Sequence, residues 1–586
     1  MDRRTRRSSL TCLLAVGVVA LVLVCNLDST EHEFRVVKDE VESLLSSSDT
    51  SDINDSWLDP TGADDEYGDE LDDSSASPVS VPKALVGSLC QGWCPQQYLA
   101  LLECSHHGLA RLRTAFQIEN CHAALQSKMN LKLVNEKVEK IADNTVFVFF
   151  RGAAALFDYN MMCADPNFAS KRNTMPRVIS NGDCHPENFG VMVEANGALV
   201  WGVNDFDQSF QTPFTWDLKR GATGFALACK VRAWAREDIV LASKVFIDSY
   251  TSTVVNHNCT FRDTDRFTES GDYVKKNAPL IAKLFKESRD METAKKTDKW
   301  LTKKMSIDLK KNKFKPKDNL IPLDDSEIPE FQASIDAYLY HGVAALAKYP
   351  NDGNFYKVMA VARKLGSGTG SIGLNRFYIL IKGRYAEKNG YIILEMKQEV
   401  NSVLEVFFRY SYTASQEGKR AVDAVRSAWP YTNLFYGWTT YKGNSYIVRE
   451  KSKHAVSADL QELSKDEFMQ YSALSGRALA FYHIRARCPN FQCQENADSA
   501  VDKEICGELV RYIQGFGVAE FKQSIFKFSM EETKRQVGAW NLLRQFVNPR
   551  RGKGKSIQLL HGGELPPSCP YGGRNVSVNK ATGWRL

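Results

Sequence analysis

Apolar positions change their rhythm several times along this chain, and each change marks an element. An apolar run extends from Leu10 to Leu27, whereas from about Ser46 to Pro82 serine and aspartate replace the large apolar side chains. Residues 97 to 142 alternate apolar and polar positions at helical spacing, and VFVFFRGAAALF at 146 to 157 reads as a buried strand or the start of a helix. Three short strands follow, PRVISNGD, NFGVMVE and ALVWGVNDFD, the last two joined at Ala195, Asn196 and Gly197, where Asn-Gly is a strong hairpin signal. WDLKRGATGFALACKVRAWA then predicts a helix with Asp217 near its amino end, where a carboxylate can accept backbone N–H groups. Between 365 and 400, glycines punctuate a strand pair, LGSGTGSIGLNRFYILIKG and YIILEMKQEV. Next come a helical segment SQEGKRAVDAVRSAW, the strands LFYGWTTY and NSYIVREKS around a turn at Lys442, Gly443 and Asn444, and a helix from about Ser464 to Ala486. The mixture predicts an α+β fold, and 586 residues suffice for one large two-lobed domain or two to four smaller ones.

The amino-terminal run has a charge bias. Arg3, Arg4, Arg6 and Arg7 precede it and Asp28, Glu31 and Glu33 follow, which keeps the positive end cytosolic. It is near the lower limit of about 17 residues for a span, longer than the roughly 7–15 of a signal core, and lacks a small-x-small cleavage site at its end. The expectation is a cytosolic tail at 1–9 and an uncleaved signal anchor at 10–27, a transmembrane helix, with secretion after signal cleavage as the alternative. Residues 28–85 then form a disordered acidic stalk, because so few large apolar groups cannot offset the entropy of ordering. This layout predicts a single-pass membrane protein with its body in the lumen of the Golgi or endoplasmic reticulum. Of the 14 cysteines, 12 lie in the body, which fits an oxidising lumen. Cys90 with Cys94, and Cys488 with Cys493 or Cys506, are the nearest disulfide candidates; a zinc site is the lesser alternative because no paired C-x-x-C set exists. Sequons at Asn54, Asn258 and Asn575 would carry glycans in that compartment, making the protein a glycoprotein.

Composition narrows the partners. The chain is 43% hydrophobic and 25% charged with a formal net charge of +5, and no stretch interleaves aromatic residues with arginine, so nucleic acid is not an expected partner. Ten lysines crowd the segment from Lys295 to Lys317; this is a solvated helix and loop, or else a docking face for an acidic or phosphorylated substrate.

Two stretches carry candidate chemistry, NGDCHPENFG at 181 to 190 and VNDFDQ at 203 to 208. A magnesium ion bridging nucleotide phosphates needs hard oxygen ligands from separate segments, and a hydroxyl nucleophile needs a carboxylate to take its proton. Asp183, Asn188 and Asp205 can supply all three, and the hairpin brings them to one end. Gly366, Gly368, Gly370 and Gly373 leave backbone N–H groups open to phosphate oxygens, and Lys397 can reach the same phosphates as a point charge. Arg151, inside an apolar run, either pairs with a carboxylate as structural support or reaches a site. The alternatives are turn roles for Asp183, Asn188 and Asp205, and a hydrolase dyad of Cys184 and His185, a poor pair because neighbours in an extended segment point apart.

The pieces FFRGAAAL, NGDCHPENFG, VNDFDQSFQTPFTWDLKR, GSGTGSIG, LEMKQEVNS, EGKRAVDAVRSAW and GRALAFYHIRA resemble, in order, the family called domain of unknown function 2252, across most of residues 146 to 490. They are also similar to the protein-kinase-like and aminoglycoside phosphotransferase superfamily, with its H-x-D-x-x-x-x-N catalytic loop followed by a strand and a metal-binding aspartate. That resemblance implies Asp183 as catalytic base, Asn188 and Asp205 as magnesium ligands, Asp207 as a helper at a second metal, Lys397 as the phosphate-pairing lysine and Asp217 as the brace of the catalytic loop. Three departures stand out: Asn181 replaces the histidine, Gln398 stands where a glutamate is expected, and the partner of Lys397 is open between Glu399 and Glu417. The glycine loop and lysine follow the catalytic loop instead of preceding it, which implies a circularly permuted kinase-like fold of two lobes. The helix carrying His483 would lie where a kinase has the helix before its catalytic loop, with His483 itself read as a packing or helix-end residue. The implied divisions are a helical catalytic lobe at 86–350, a small antiparallel lobe at 351–452, helices completing the large lobe at 453–560 and a tail at 561–586. The implied function is an ATP- and magnesium-dependent lumenal phosphotransferase acting on a protein or glycan hydroxyl. A catalytically inactive scaffold or activator is the alternative, and nucleotidyl transfer from the same cleft a further one.

Overall fold

The structure, a computed structural model, describes residues 139–164, 174–257, 259, 266–351, 354–366, 374–383, 391–406, 408, 417–429, 432–485 and 503–547. The expected anchor, the stalk, the three sequons, Cys90, Cys94, Cys488, Cys493, Gly368, Gly370, Gly373 and the tail from 561 lie outside the described residues. No helix among the described residues is long and apolar enough to cross a membrane.

The architecture is α+β. VFVFFRG is helical: α1 (Val146–Gly152) begins at Thr145, whose side chain accepts the Val148 N–H, and α2 (Ala154–Ala164) follows after a break at Ala153. The cap decides an apolar run whose composition suits strand and helix alike. β1 (Arg177–Ser180), β2 (Phe189–Val193) and β3 (Leu199–Val203) occupy the three expected strands, and β2 and β3 form the expected hairpin. Gly197 closes that turn with φ +86°. β1 does not join it. It pairs instead with β4 (Phe210–Pro213), a strand within QSFQTP that periodicity does not reveal. The chain therefore runs β1, loop, hairpin, loop, β4, and the loops at 181–188 and 204–209 are tied together: the Asn204 N–H donates to the Asn188 carbonyl at 3.2 Å.

Helices surround this core. α3 (Thr215–Lys230) is buried along nearly its whole length, and α4 (Arg236–His257) crosses α7 (Lys465–Arg485) closely. At the crossing a side chain on Gly476 would meet the Phe246 carbonyl oxygen at 2.2 Å, so only glycine permits the approach. α8 (Lys503–Phe516) and α9 (Val518–Val547) complete the helical body. Cys506 on α8 is bonded to Cys259 beyond α4, 247 positions away in sequence. This corrects the pairing of Cys506 with Cys488: proximity in sequence is a weak guide once helix packing brings distant segments together.

The second layer is a six-stranded antiparallel sheet of order β11-β12-β10-β9-β8-β7. Its strands are β7 (Leu320–Pro322), β8 (Val358–Lys364), β9 (Arg376–Ile381), β10 (Ile392–Glu399), β11 (Gly437–Tyr441) and β12 (Asn444–Glu450). One face packs Leu394, Met396, Phe377 and Ile379 against Phe331, Ile335 and Tyr338 of α5 (Ile328–Tyr340). The other packs Tyr378, Leu380 and Ile393 against Trp300, Leu301, Met305, Ile307 and Phe314. Those five belong to the lysine-rich segment, which is a helix, a π-turn at Trp300–Lys304 and the small β5 (Ile307–Asp308) and β6 (Lys313–Phe314) pair. Its lysines cover an apolar underside. The sheet thus recruits β7 and α5 from before position 351, because a sheet with two apolar faces needs cover on both. α6 (Glu417–Ala428) follows β10 and sets Ala421 and Val422 on Ile447 of β12.

Candidate functional site

The site forms where the two tied loops face the charged end of β10. Asp217, fully buried at the start of α3, accepts the Asn181 N–H at 2.6 Å and the Gly182 N–H at 2.9 Å. His483 Nε2 meets the same carboxylate at 3.2 Å. Gly182 has φ +80°, and a side chain there would meet the Gln208 carbonyl oxygen at 2.2 Å. The first loop is therefore held from below by a buried anion and pressed laterally against the second.

Asp183 leaves this turn toward Arg220, which donates from Nε at 2.8 Å and Nη2 at 2.5 Å to Oδ1. Burial pushes the Asp183 carboxyl above its ordinary range, and Arg220 opposes this without cancelling it. Arg220 is itself sequestered, 4.3 Å from the Phe150 ring centroid and 5.1 Å from that of Phe157. Oδ2 of Asp183 faces His185 Nε2 at 3.7 Å. His185 Nδ1 accepts the Glu187 N–H at 3.2 Å, which places the ring hydrogen on Nε2. Burial, then the Arg151 and Arg220 charges, keep that ring well below the usual imidazole range and neutral.

From β10, Lys397 makes an ion pair with Asp207 and lies 3.9 Å from Asp205 Oδ1. The lysine is buried, while the Asp205 side chain is 46% exposed. The Asn188 amide donates to the Asp183 carbonyl at 2.8 Å, and no donor to its Oδ1 stands among the described residues. Arg420 of α6 fastens the layers: buried, it donates to the Ser209 carbonyl at 2.6 Å, the Asp207 carbonyl at 2.8 Å and the Val400 carbonyl at 3.1 Å. Glu395, Lys397 and Glu399 share one face of β10 by strand alternation. Glu395 is buried among Arg449 at 2.8 Å, Arg376 at 3.3 Å and Lys451 at 3.5 Å. Burial alone would raise its carboxyl, but these three cations hold it well below the usual range. Glu399 is buried with Oε1 unpartnered, and burial, opposed by Lys397, pushes it up to about 7.

With this geometry in hand, the chain can be compared with known proteins. The model of the family described as "Uncharacterized protein conserved in bacteria (DUF2252)" matches residues 131–546. The chain belongs to the DUF2252 family. No curated protein and no solved structure matches it.

In this DUF2252 chain, Asp183, Asn188, Asp205, Asp207 and Lys397 gather where the loops at 181–188 and 204–209 meet β10, and Asp217 braces the first of those loops from α3. Gly366, just beyond β8, has φ +65° and begins the connection to β9. Arg151 pairs at 2.5 Å with Glu187 of the first loop, in a position 24% exposed, so it supports the loop from outside. Glu417 is not the partner of Lys397: it holds Arg420 at 2.6 Å. The Cys184 thiol is buried, and burial, reinforced by Asp217, pushes it well above its ordinary range, which counts against it as the nucleophile of a dyad with His185.

A magnesium ion fits the donor chemistry in part. Asn188 Oδ1 and the exposed Asp205 carboxylate are hard oxygens on separate loops, the sparse protein set that this cation takes beside phosphate oxygens. Asp207 is engaged by Lys397, and no group of three or more His, Cys, Asp or Glu among the described residues is arranged to hold a metal ion. Sequence reading missed Arg220, Arg420 and Tyr250. Only Arg220 left a signal, since its spacing of three from Asp217 puts both on one face of α3.

Proposed function

We propose that this DUF2252 chain is an ATP- and magnesium-dependent phosphotransferase with a permuted, two-lobed protein-kinase-like arrangement, acting on a protein or glycan hydroxyl. The pairing of Lys397 on β10 with Asp205 and Asp207 on the loop after β3 carries the reading. Its surroundings support it: the glycine-rich connection joins the first two strands of a meander, Lys397 lies on the third, and α6 follows. The loop carrying Asp183 and Asn188 comes before the strand that leads to Asp205, the order a phosphoryl transfer site uses.

In this mechanism Asp183 accepts the proton of the attacking hydroxyl through Oδ2, while Arg220 fixes Oδ1 and with it the direction of the carboxylate. Lys397 exchanges Asp207 for phosphate oxygens, and the glycines of the connection after β8 would offer N–H groups to the same phosphates. Asn188 Oδ1 and Asp205 would hold magnesium, which when bound neutralises charge on the transferring phosphate. The Cys259–Cys506 bond supports maturation of the body in an oxidising lumen, where the anchor expectation also places it.

A second reading, a catalytically inactive scaffold or activator, has one observation in its favour: Lys397 is held by Asp207, and the glutamate at the start of α6 is turned to Arg420. Incubation of the full chain in detergent with ATP labelled at the γ or α phosphate and a secretory extract separates the possibilities. Transfer of the γ label, lost in Asp205→Ala and Asp183→Asn, is the expected result. Transfer of the α label means nucleotidyl transfer, and metal-dependent nucleotide binding with no transfer favours the scaffold.

A further inference from the structure

The buried imidazole of His483 belongs to a hydrogen-bonded chain that ends in the loop carrying Asp183. His483 is fully buried on α7, with Tyr250 Oη of α4 2.8 Å from Nδ1 and Asp217 Oδ2 3.2 Å from Nε2. A carboxylate only accepts, so Nε2 carries the hydrogen toward Asp217 and Nδ1 is free to accept from the tyrosine. Burial, reinforced by Asp217, pushes the Tyr250 phenol well above its ordinary range, so it keeps the proton it donates. Asp217 then receives three N–H donors: His483 Nε2 and the amides of Asn181 and Gly182.

We propose that His483 is a positioning residue for the Asp183 loop, supplying from α7 the imidazole support that Asn181 cannot give from within the loop. This rests on the phosphotransferase reading for its effect on turnover, though its effect on the loop does not. A buried carboxylate with three convergent donors has one orientation, and that orientation sets the two amides immediately before Asp183. Without the imidazole, Asp217 retains two donors from a single turn and can rotate with it. α7 lies more than two hundred positions beyond the loop in sequence, so the support arrives through helix packing: the α4–α7 crossing at Gly476 places Tyr250 and His483 together.

The test compares His483→Leu, His483→Gln and Tyr250→Phe in the full chain. The glutamine amide can donate to Asp217, whereas leucine fills the space without a donor. Hydrogen exchange of the peptide over 178–190 is the readout that does not depend on activity. We expect exchange at the Asn181 and Gly182 amides to quicken about 10-fold or more in His483→Leu and far less in His483→Gln, with α3 protection unchanged. Where the wild-type chain transfers phosphate, kcat should fall about 10–100-fold in His483→Leu with KM for ATP little changed, and His483→Gln should recover most of it. Equal exchange in the leucine and glutamine variants overturns the proposal and assigns His483 to packing. If His483→Leu loses protection throughout, Tyr250→Phe decides: unchanged exchange at the two amides also overturns it. Absence of transfer by the wild-type chain removes the phosphotransferase reading and leaves the exchange result standing.

Discussion

The ammonium of Lys397 on β10 meets the carboxylate of Asp207 on the loop after β3, although 190 positions of chain separate them. Asp205 stands beside the pair at 3.9 Å, so one ammonium faces two carboxylates. On the phosphotransferase reading, phosphate oxygens replace Asp207 at this ammonium. Lys397→Met should therefore lower phosphate transfer on the order of 100-fold, as loss of a charge aimed at a developing anion does. Single-turnover measurements with labelled ATP check this, and retained transfer in Lys397→Met would detach the lysine from the chemistry.

Arg420 holds three backbone carbonyls of two segments that contribute to the site. Arg420→Met leaves those buried acceptors without donors, and the expected destabilisation is about 3 kcal/mol or more. Urea denaturation measures it directly. A midpoint equal to that of the wild type would mean that water replaces the guanidinium without cost.

Gly182 combines a left-handed backbone with a carbonyl 2.2 Å from where a side chain would begin. Gly182→Ala should cost about 2 kcal/mol or more through backbone strain and displacement of Gln208, and transfer should fall with it because Asp183 is the next residue. Thermal unfolding and kcat on the same preparation test whether the two losses travel together.

Glu399 supplies a pH dependence with a definite sign. Its carboxyl is pushed up to about 7 by burial, against an ordinary value of 4.5, with Lys397, Arg420, Asp205 and Arg449 as the charges around it. The folded chain then holds a proton that the unfolded chain has lost between those values. Stability from this group is complete below about 4.5 and declines as pH rises toward about 7. Glu399→Gln removes that slope, so its stability relative to wild type should be more favourable at pH 8 than at pH 5. Parallel denaturation at the two pH values, without nucleotide, gives the answer; an equal difference at both counts against it.

The Cys259–Cys506 bond closes a long loop between α4 and α8. Cys506→Ser should lower stability by about 2–4 kcal/mol, and reductant should cost the variant less than it costs the wild type. Loss of the bond under non-reducing peptide mapping is the accompanying check.

Much of the local structure was legible. The Asn-Gly turn of the β2–β3 hairpin, the helix beginning near Asp217 and the turn at Lys442 and Gly443 each rest on backbone preferences within a few residues, and such signals survive without tertiary context. β4 was not legible, because QSFQTP lacks alternation and becomes a strand only by pairing with β1. The lysine-rich segment was half legible. Its charges are plain in the sequence, but the role of Trp300, Leu301 and Phe314 as cover for the sheet depends on an apolar face built from residues far along the chain.

By itself, then, the sequence determined which side chains were available for chemistry and which short turns would present them: a carboxylate and an amide in one loop, two more carboxylates in the next, glycines before a strand and a lysine on the strand after it. Tertiary structure alone decided that Lys397 faces Asp207, that Arg220 holds Asp183, that His483 supports Asp217 and that Cys506 reaches Cys259. The reason is physical. Turn and helix signals are local free-energy preferences, while these pairings follow from how whole helices and a sheet bury their apolar faces against one another, and residue spacing along the chain does not encode that packing.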